Sequence, residues 1–136
     1  MKHTPIPLFL LALALAGCAT LGGSPEAGVS DTIDDWAEAL LAKDIDAVME
    51  TYSEDFRGYD YSDKATVAGY LDERKYMGDL DGMDIDLSAV EITVDGDTAK
   101  AGPIGVSGYS FDITIHFDLA NEDGEWRLVG QEIFGM

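Results

Sequence analysis

His116 is the first residue here that could move a proton. It lies in an alternating run, with Ser110, Asp112, Thr114 and Asp118 on its own face and Phe117 on the other. A histidine beside carboxylates can serve as a base held by an orienting acid. The apolar face of the run is the opposite one, so His116 is expected on the exposed face. Glu132 is a second candidate. By alternation it shares a face with Trp126, Leu128 and Phe134, and a carboxylate among such neighbours is costly unless paired. A bulge or twist at Gly130 would turn it outward instead, so both orientations stay open. Asp79, Asp81, Asp84 and Asp86 raise the question of calcium. Their order, Asp-Leu-Asp-Gly-Met-Asp-Ile-Asp, lacks the distal glutamate and the ligand spacing of an EF-hand loop. No metal site is therefore expected. The sequence shows no Cys/His cluster, Gly-rich phosphate loop, nucleophile elbow or basic patch, and no cofactor is expected.

These side chains need elements to hold them. Ser30 or Asp31 can cap a helix on which Ile33, Trp36, Ala37, Leu40 and Leu41 form one apolar face. Lys43-Asp44 interrupts the pattern. Ile45, Val48, Met49 and Tyr52 resume it on a second, shorter helix, and Phe56 and Tyr59 anchor the connection that follows. Ser62 or Asp63 caps a third helix carrying Val67, Tyr70, Leu71 and Met77. The period then changes to two. Residues 85–94 read as a strand whose apolar phase slips near Ser88-Ala89, which suggests a bulge. Asp95-Gly96 is a hairpin turn. Residues 98–107 form a second strand, with Gly102-Pro103 marking a bend or an edge. Residues 109–120 form the clearest strand, with Tyr109, Phe111, Ile113, Ile115, Phe117 and Leu119 on one face. Asn121 to Gly124 turns the chain into a last strand, 125–134. Three helices followed by a meandering antiparallel sheet is an α+β layout.

The N-terminus has another character. Lys2 precedes an apolar run, residues 6–16, which ends in Leu15-Ala16-Gly17-Cys18. A positive start, an apolar stretch and small residues make a secretory signal. The run is shorter than the roughly 20 residues a spanning helix needs. The quartet resembles the bacterial lipobox, and Cys18 is the one cysteine of the chain. That resemblance implies cleavage after Gly17, acylation of Cys18 and attachment to the bilayer through its acyl chains. With Ala19 rather than Asp next, it implies an outer-membrane location facing the periplasm if the cell is Gram-negative. The expected organisation is a signal peptide over 1–17, a lipidated flexible tether over 18–29 and a folded domain over 30–136. With one thiol no internal disulfide can form, so the domain must hold by its core.

The chain has 136 residues, with 27 acidic and 8 basic, for a net charge of −19. Cleavage after Gly17 would make it more acidic still, because Lys2 would go with the signal. Such a charge repels nucleic acid and anionic headgroups. Nucleic-acid binding is excluded on that ground, and the domain should stand off the bilayer.

Residues 31–56, DTIDDWAEALLAKDIDAVMETYSEDF, resemble the opening helix pair of nuclear transport factor 2-like domains, a superfamily that includes SnoaL-like and ketosteroid-isomerase-like proteins. Residues 113–134, ITIHFDLANEDGEWRLVGQEIF, resemble its last hairpin. The resemblance implies a cone-shaped, curved antiparallel sheet wrapped around about three N-terminal helices, with an apolar pocket between them. Trp36, Tyr52, Phe56, Tyr70, Phe111 and Trp126 are the candidate pocket residues, with Tyr109 beside them. Laying a ketosteroid isomerase on the Asp44-x-Asp46 hinge places Asp60 at the general base and Trp36 where a donor tyrosine would stand. An indole N–H is far less acidic than a phenol, so half of the oxyanion device is missing. The expected function is a non-catalytic small-molecule-binding or accessory role for a small apolar ligand. The alternatives are an isomerase, dehydratase or cyclase using Asp60, and a protein-docking module or homodimer using the sheet face.

Overall fold

The computed structural model describes residues 24–135; Cys18 and the signal-like stretch before it lie outside them. Helix α1 spans Pro25–Leu41. Ser24 caps it, accepting the Ala27 N–H at 3.1 Å, and Pro25 occupies the first turn, where a missing N–H does no harm. The helix therefore starts ahead of Ser30 and Asp31, inside the stretch read as tether. Val29, Ile33, Trp36, Ala37 and Leu40 face the core, while Leu41 is half exposed rather than part of that face. A glycine inside a helix is a weak helix former, and Gly28 made this turn read as linker. Its role is clearance: a Cβ there would lie 2.7 Å from Cδ1 of the buried Trp126. The next turn is tied to the same residue, since the Thr32 hydroxyl donates to the Trp126 carbonyl at 2.8 Å. Gly28→Ala should gain up to about 1 kcal/mol of helix propensity and lose about 1–3 kcal/mol to overpacking. The clash is expected to win because the indole is buried. A lowered urea midpoint is the expected result; a raised one would show that the ring is free to retreat.

Lys43, at φ 59, ends α1, and Asp44 caps α2 (Ile45–Glu50) by accepting the Ala47 N–H. Tyr52 lies just past α2 rather than on it. From Thr51 onward the chain runs beside the last strand: Leu128 N–H donates to Thr51 O, Ser53 N–H to Leu128 O, Arg57 N–H to Val129 O and Tyr59 N–H to Gln131 O, at 2.8–3.1 Å. Asp63 caps α3 (Lys64–Tyr76), accepting both the N–H and the hydroxyl of Thr66. Val67 is the buried residue of α3; Tyr70 and Met77 are exposed.

Five antiparallel strands form an open, curved sheet: β1 (Asp84–Asp86), β2 (Glu91–Asp95), β3 (Thr98–Ser107), β4 (Asp112–Glu122) and β5 (Glu125–Phe134). The α+β expectation holds. Residues 85–94 are two strands rather than one bulged strand. Both pair with β3, β1 against Gly105–Ser107 and β2 against Thr98–Gly102. Between them, Asp86 accepts the N–H and hydroxyl of Ser88 in a local turn. The break falls opposite Gly102-Pro103, where β3 also shifts register against β4. A proline offers no N–H to a ladder, so pairing lapses there. Strand β4 begins at Asp112, and Tyr109, expected on the apolar face, is 98% exposed in the preceding turn.

The decisive irregularity is on β5. Leu119 pairs with Leu128, but Asp118 pairs with Gly130. Val129 is the extra residue of a bulge, and the inward face changes parity there. Trp126 and Leu128 are buried before it. After it, Gln131 and Ile133 take the inner face, and Glu132 and Phe134 turn outward.

Candidate functional site

The helices do not fill the hollow of the sheet. A cavity of about 500 Å³ remains between α1, α3 and the inner face of β3–β5. Its apolar wall includes Trp36, Leu40, Val67, Leu80, Val106, Phe111, Ile113 and Ile115. Trp36, Leu40 and Val67 come from the inward stripes of helices and Val106, Ile113 and Ile115 from the inward parity of strands, while Leu80 and Phe111 reach it from the turns after α3 and before β4. Trp36 is held edge-on against Phe117, with ring centroids 5.0 Å apart, and Tyr52 packs edge-on against Phe56 at 4.9 Å.

Of the six expected pocket residues, Trp36, Tyr52, Tyr70 and Phe111 line this cavity. Phe56 is completely buried behind Tyr52, and Trp126 is buried against Gly28; both belong to the core instead. Asp60 reaches the cavity rim. Its Oδ1 accepts the Ser62 hydroxyl at 2.7 Å and the Ser62 N–H at 3.0 Å. These bonds, the hydroxyl's first, hold its carboxyl below the usual range, which makes it a weaker base.

Glu132 and His116 are elsewhere. They are paired across β4 and β5 on the outer face of the sheet, over a separate depression of about 430 Å³. The His116 ring stands edge-on to Phe134, 5.7 Å away, and covers Gly102, where a Cβ would meet Nδ1 at 2.6 Å. Asp118 beside them accepts from Lys100 Nζ at 2.7 Å and from the Tyr59 hydroxyl at 3.0 Å. That bond to Asp118 raises the Tyr59 pKa. The sheet thus separates Asp60 from Glu132 and His116.

Gln131 and Arg74 are polar lining residues that were not singled out from the sequence. Gln131 accepts the Tyr52 hydroxyl at Oε1, 3.2 Å away. Burial raises the Tyr52 pKa, opposed by the neighbouring Trp36 indole N–H. Arg74 donates to Asp79 at 2.8 Å and lies over the Tyr70 ring, 4.9 Å from its centroid. The bond to Asp79 leads in raising its pKa. Arg74 Nε is a buried donor without a partner among the described residues. The four aspartates of the calcium question disperse: Asp79 pairs with Arg74, Asp81 with Lys43, Asp84 stands on β1 opposite Ser107, and Asp86 closes its own turn. Among the described residues, no group of three or more His, Cys, Asp or Glu is arranged to hold a metal ion.

A helix-backed, curved sheet enclosing an apolar hollow defines the nuclear transport factor 2-like class. The family model described as SnoaL-like domain matches residues 29–133, and the chain belongs to that family. Solved structures share the fold at low identity. An NTF2-like protein with a cystatin-like fold from Novosphingobium aromaticivorans is 17% identical, with a TM-score of 0.65 over 99% of this chain and 92% of that one. The CaMKII hub of S. rosetta is 17% identical, with a TM-score of 0.67 over 84% and 98% of the two chains. A protein of unknown function with a cystatin-like fold from Nostoc punctiforme is 14% identical, with a TM-score of 0.65 over 79% and 88%. No curated protein sequence matches the chain.

Proposed function

We propose that this is a membrane-anchored, extracytoplasmic SnoaL-like domain that holds a small, largely apolar molecule without transforming it. One observation carries the binding half of this reading: the cavity is roomy and apolar, and both of its carboxylates are already engaged. Asp60 is taken by Ser62 and Asp79 by Arg74. A volume of about 500 Å³ lies in the usual range for small-molecule sites, which combine mostly apolar walls with a few polar groups. The anchoring half rests on the lipobox-like quartet at Cys18. Among the described residues no helix is long and apolar enough to cross a membrane.

The competing enzyme reading needs a base in reach of substrate and a stabiliser for the developing oxyanion, which is often the larger contribution. Asp60 is a weakened base, and the resemblance puts Trp36, with an N–H far less acidic than a phenol, where the donor would be. We expect no measurable double-bond isomerisation of a ketosteroid such as 5-androstene-3,17-dione. Asp60→Asn should leave the fold intact, because the amide oxygen can still accept from Ser62. Robust turnover of a carbonyl substrate by the wild type, lost in Asp60→Asn while the circular dichroism spectrum survives, would establish the enzyme instead.

A further inference from the structure

Hydrogen bonding in the cavity wall has a direction, and that direction selects the ligand's chemistry. The inference rests on the ligand-binding reading above. Trp36, Tyr52 and Gln131 all line the cavity. An indole N–H can only donate, a phenol has one proton to give, and a glutamine amide accepts at oxygen and donates twice at nitrogen. The Trp36 indole neighbours the Tyr52 hydroxyl and acts on it as a donor would, opposing the effect of burial. The phenol's proton cannot go back to an indole that accepts nothing, so it goes on to Gln131, whose Oε1 lies 3.2 Å away. With Oε1 committed to Tyr52, Nε2 is turned away from the phenol. It has no protein acceptor among the described residues.

The rest of the wall narrows the choice. Val106, Phe111, Ile113 and Ile115 offer nothing to a charge. The cation of the lining, Arg74, is paired with Asp79, and a net charge of −19 opposes anions. A hydrocarbon would leave the amide donors unsatisfied in an apolar site, which is penalised more heavily than a made hydrogen bond is rewarded. We propose that the Tyr52–Gln131 pair, by committing Oε1 to the phenol, presents the Gln131 amide as a donor to the ligand. The cavity then selects neutral, largely apolar molecules that carry a carbonyl-type acceptor.

The test compares two probes of the same shape, 2-acetylnaphthalene and 2-isopropenylnaphthalene, which differ by a carbonyl oxygen against a methylene. Equilibrium dialysis of the full-length, detergent-extracted protein against matched detergent gives each bound excess directly. The ketone should bind about fivefold more tightly than the alkene, the ratio expected for one net hydrogen bond. In Gln131→Leu the ratio should fall to about one as the alkene gains. Gln131→Glu keeps the side chain's length but not its donors and should also lose the preference, so the result does not hang on one variant folding. Equal wild-type affinities for the two probes would overturn the proposal, as would a ketone preference that survives both substitutions. If the wild type binds neither probe up to its solubility limit, the cavity reading itself fails.

Discussion

Trp36→Ala should destabilise the domain by about 3–5 kcal/mol, the range for removing a large aromatic from a core. Trp36 is 2% exposed on the inward stripe of α1 and meets Phe117 at 5.0 Å. Its ring is part of the cavity wall, so neighbouring side chains have an empty space, not a packed shell, from which to fill the gap. Little compensating collapse is therefore expected, and the loss should fall in the upper half of that range. Against a typical total of about 5–15 kcal/mol, that is a large share of the domain's stability. Urea unfolding measures this directly. A loss below about 1 kcal/mol would show that α1 is not packed on the sheet as described, because a buried indole cannot be deleted so lightly.

The second large effect is on location. Cys18→Ser in the full-length chain should abolish acylation, leaving uncleaved precursor or soluble protein. The physical reason is that the acyl chains are the proposed attachment: each buried methylene contributes about 0.8 kcal/mol, and firm anchoring takes more than one chain. The acidic surface, at −19, adds no attraction to anionic headgroups. Fractionation and mass spectrometry of the mature N-terminus read the outcome. A variant that still matures and sediments with membranes like the wild type would refute the lipobox reading.

Much of the fold was legible because period and turn chemistry agreed. The stripe Ile33, Trp36, Ala37, Leu40 on α1 and the inward set Ile113, Ile115, Phe117, Leu119 on β4 are regular, and both elements place their side chains as the patterns predict. What was misread lies where a local feature overrides the period. Gly28 hid the first turns of α1, because its reason for being glycine is the Trp126 ring nearly a hundred residues away. Pro103 cuts the β1–β2 edge into two, an effect that shows only once the partner strand is known. Residues 51–59 owe their course to hydrogen bonds with β5, not to helix period.

The site shows the same division. Trp36, Tyr52, Tyr70 and Phe111 could be found from apolar faces. Gln131 could not, because alternation counted back from Phe134 puts it on the wrong side of the sheet. A single extra residue, Val129, exchanges Gln131 for Glu132 at the cavity wall. The sequence admits a bulge at Gly130, but that it carries Gln131 inward shows only in the pairing of β5 with β4. The same bulge turns Glu132 to the outer face, where the alternation of β4 already puts His116, and so separates both from Asp60. That separation is the geometric ground on which binding is proposed over catalysis.

The central claim is that the cavity between the helices and the sheet holds a small apolar molecule. Native mass spectrometry of the full-length protein, extracted in mild detergent from its own membrane, tests it most directly. The account predicts a fraction of the protein carrying one additional neutral small molecule, released on collisional activation and absent from a Val106→Trp variant whose new side chain fills the cavity. Protein of bare lipidated mass in every preparation, or an adduct that persists undiminished in folded Val106→Trp, would contradict it.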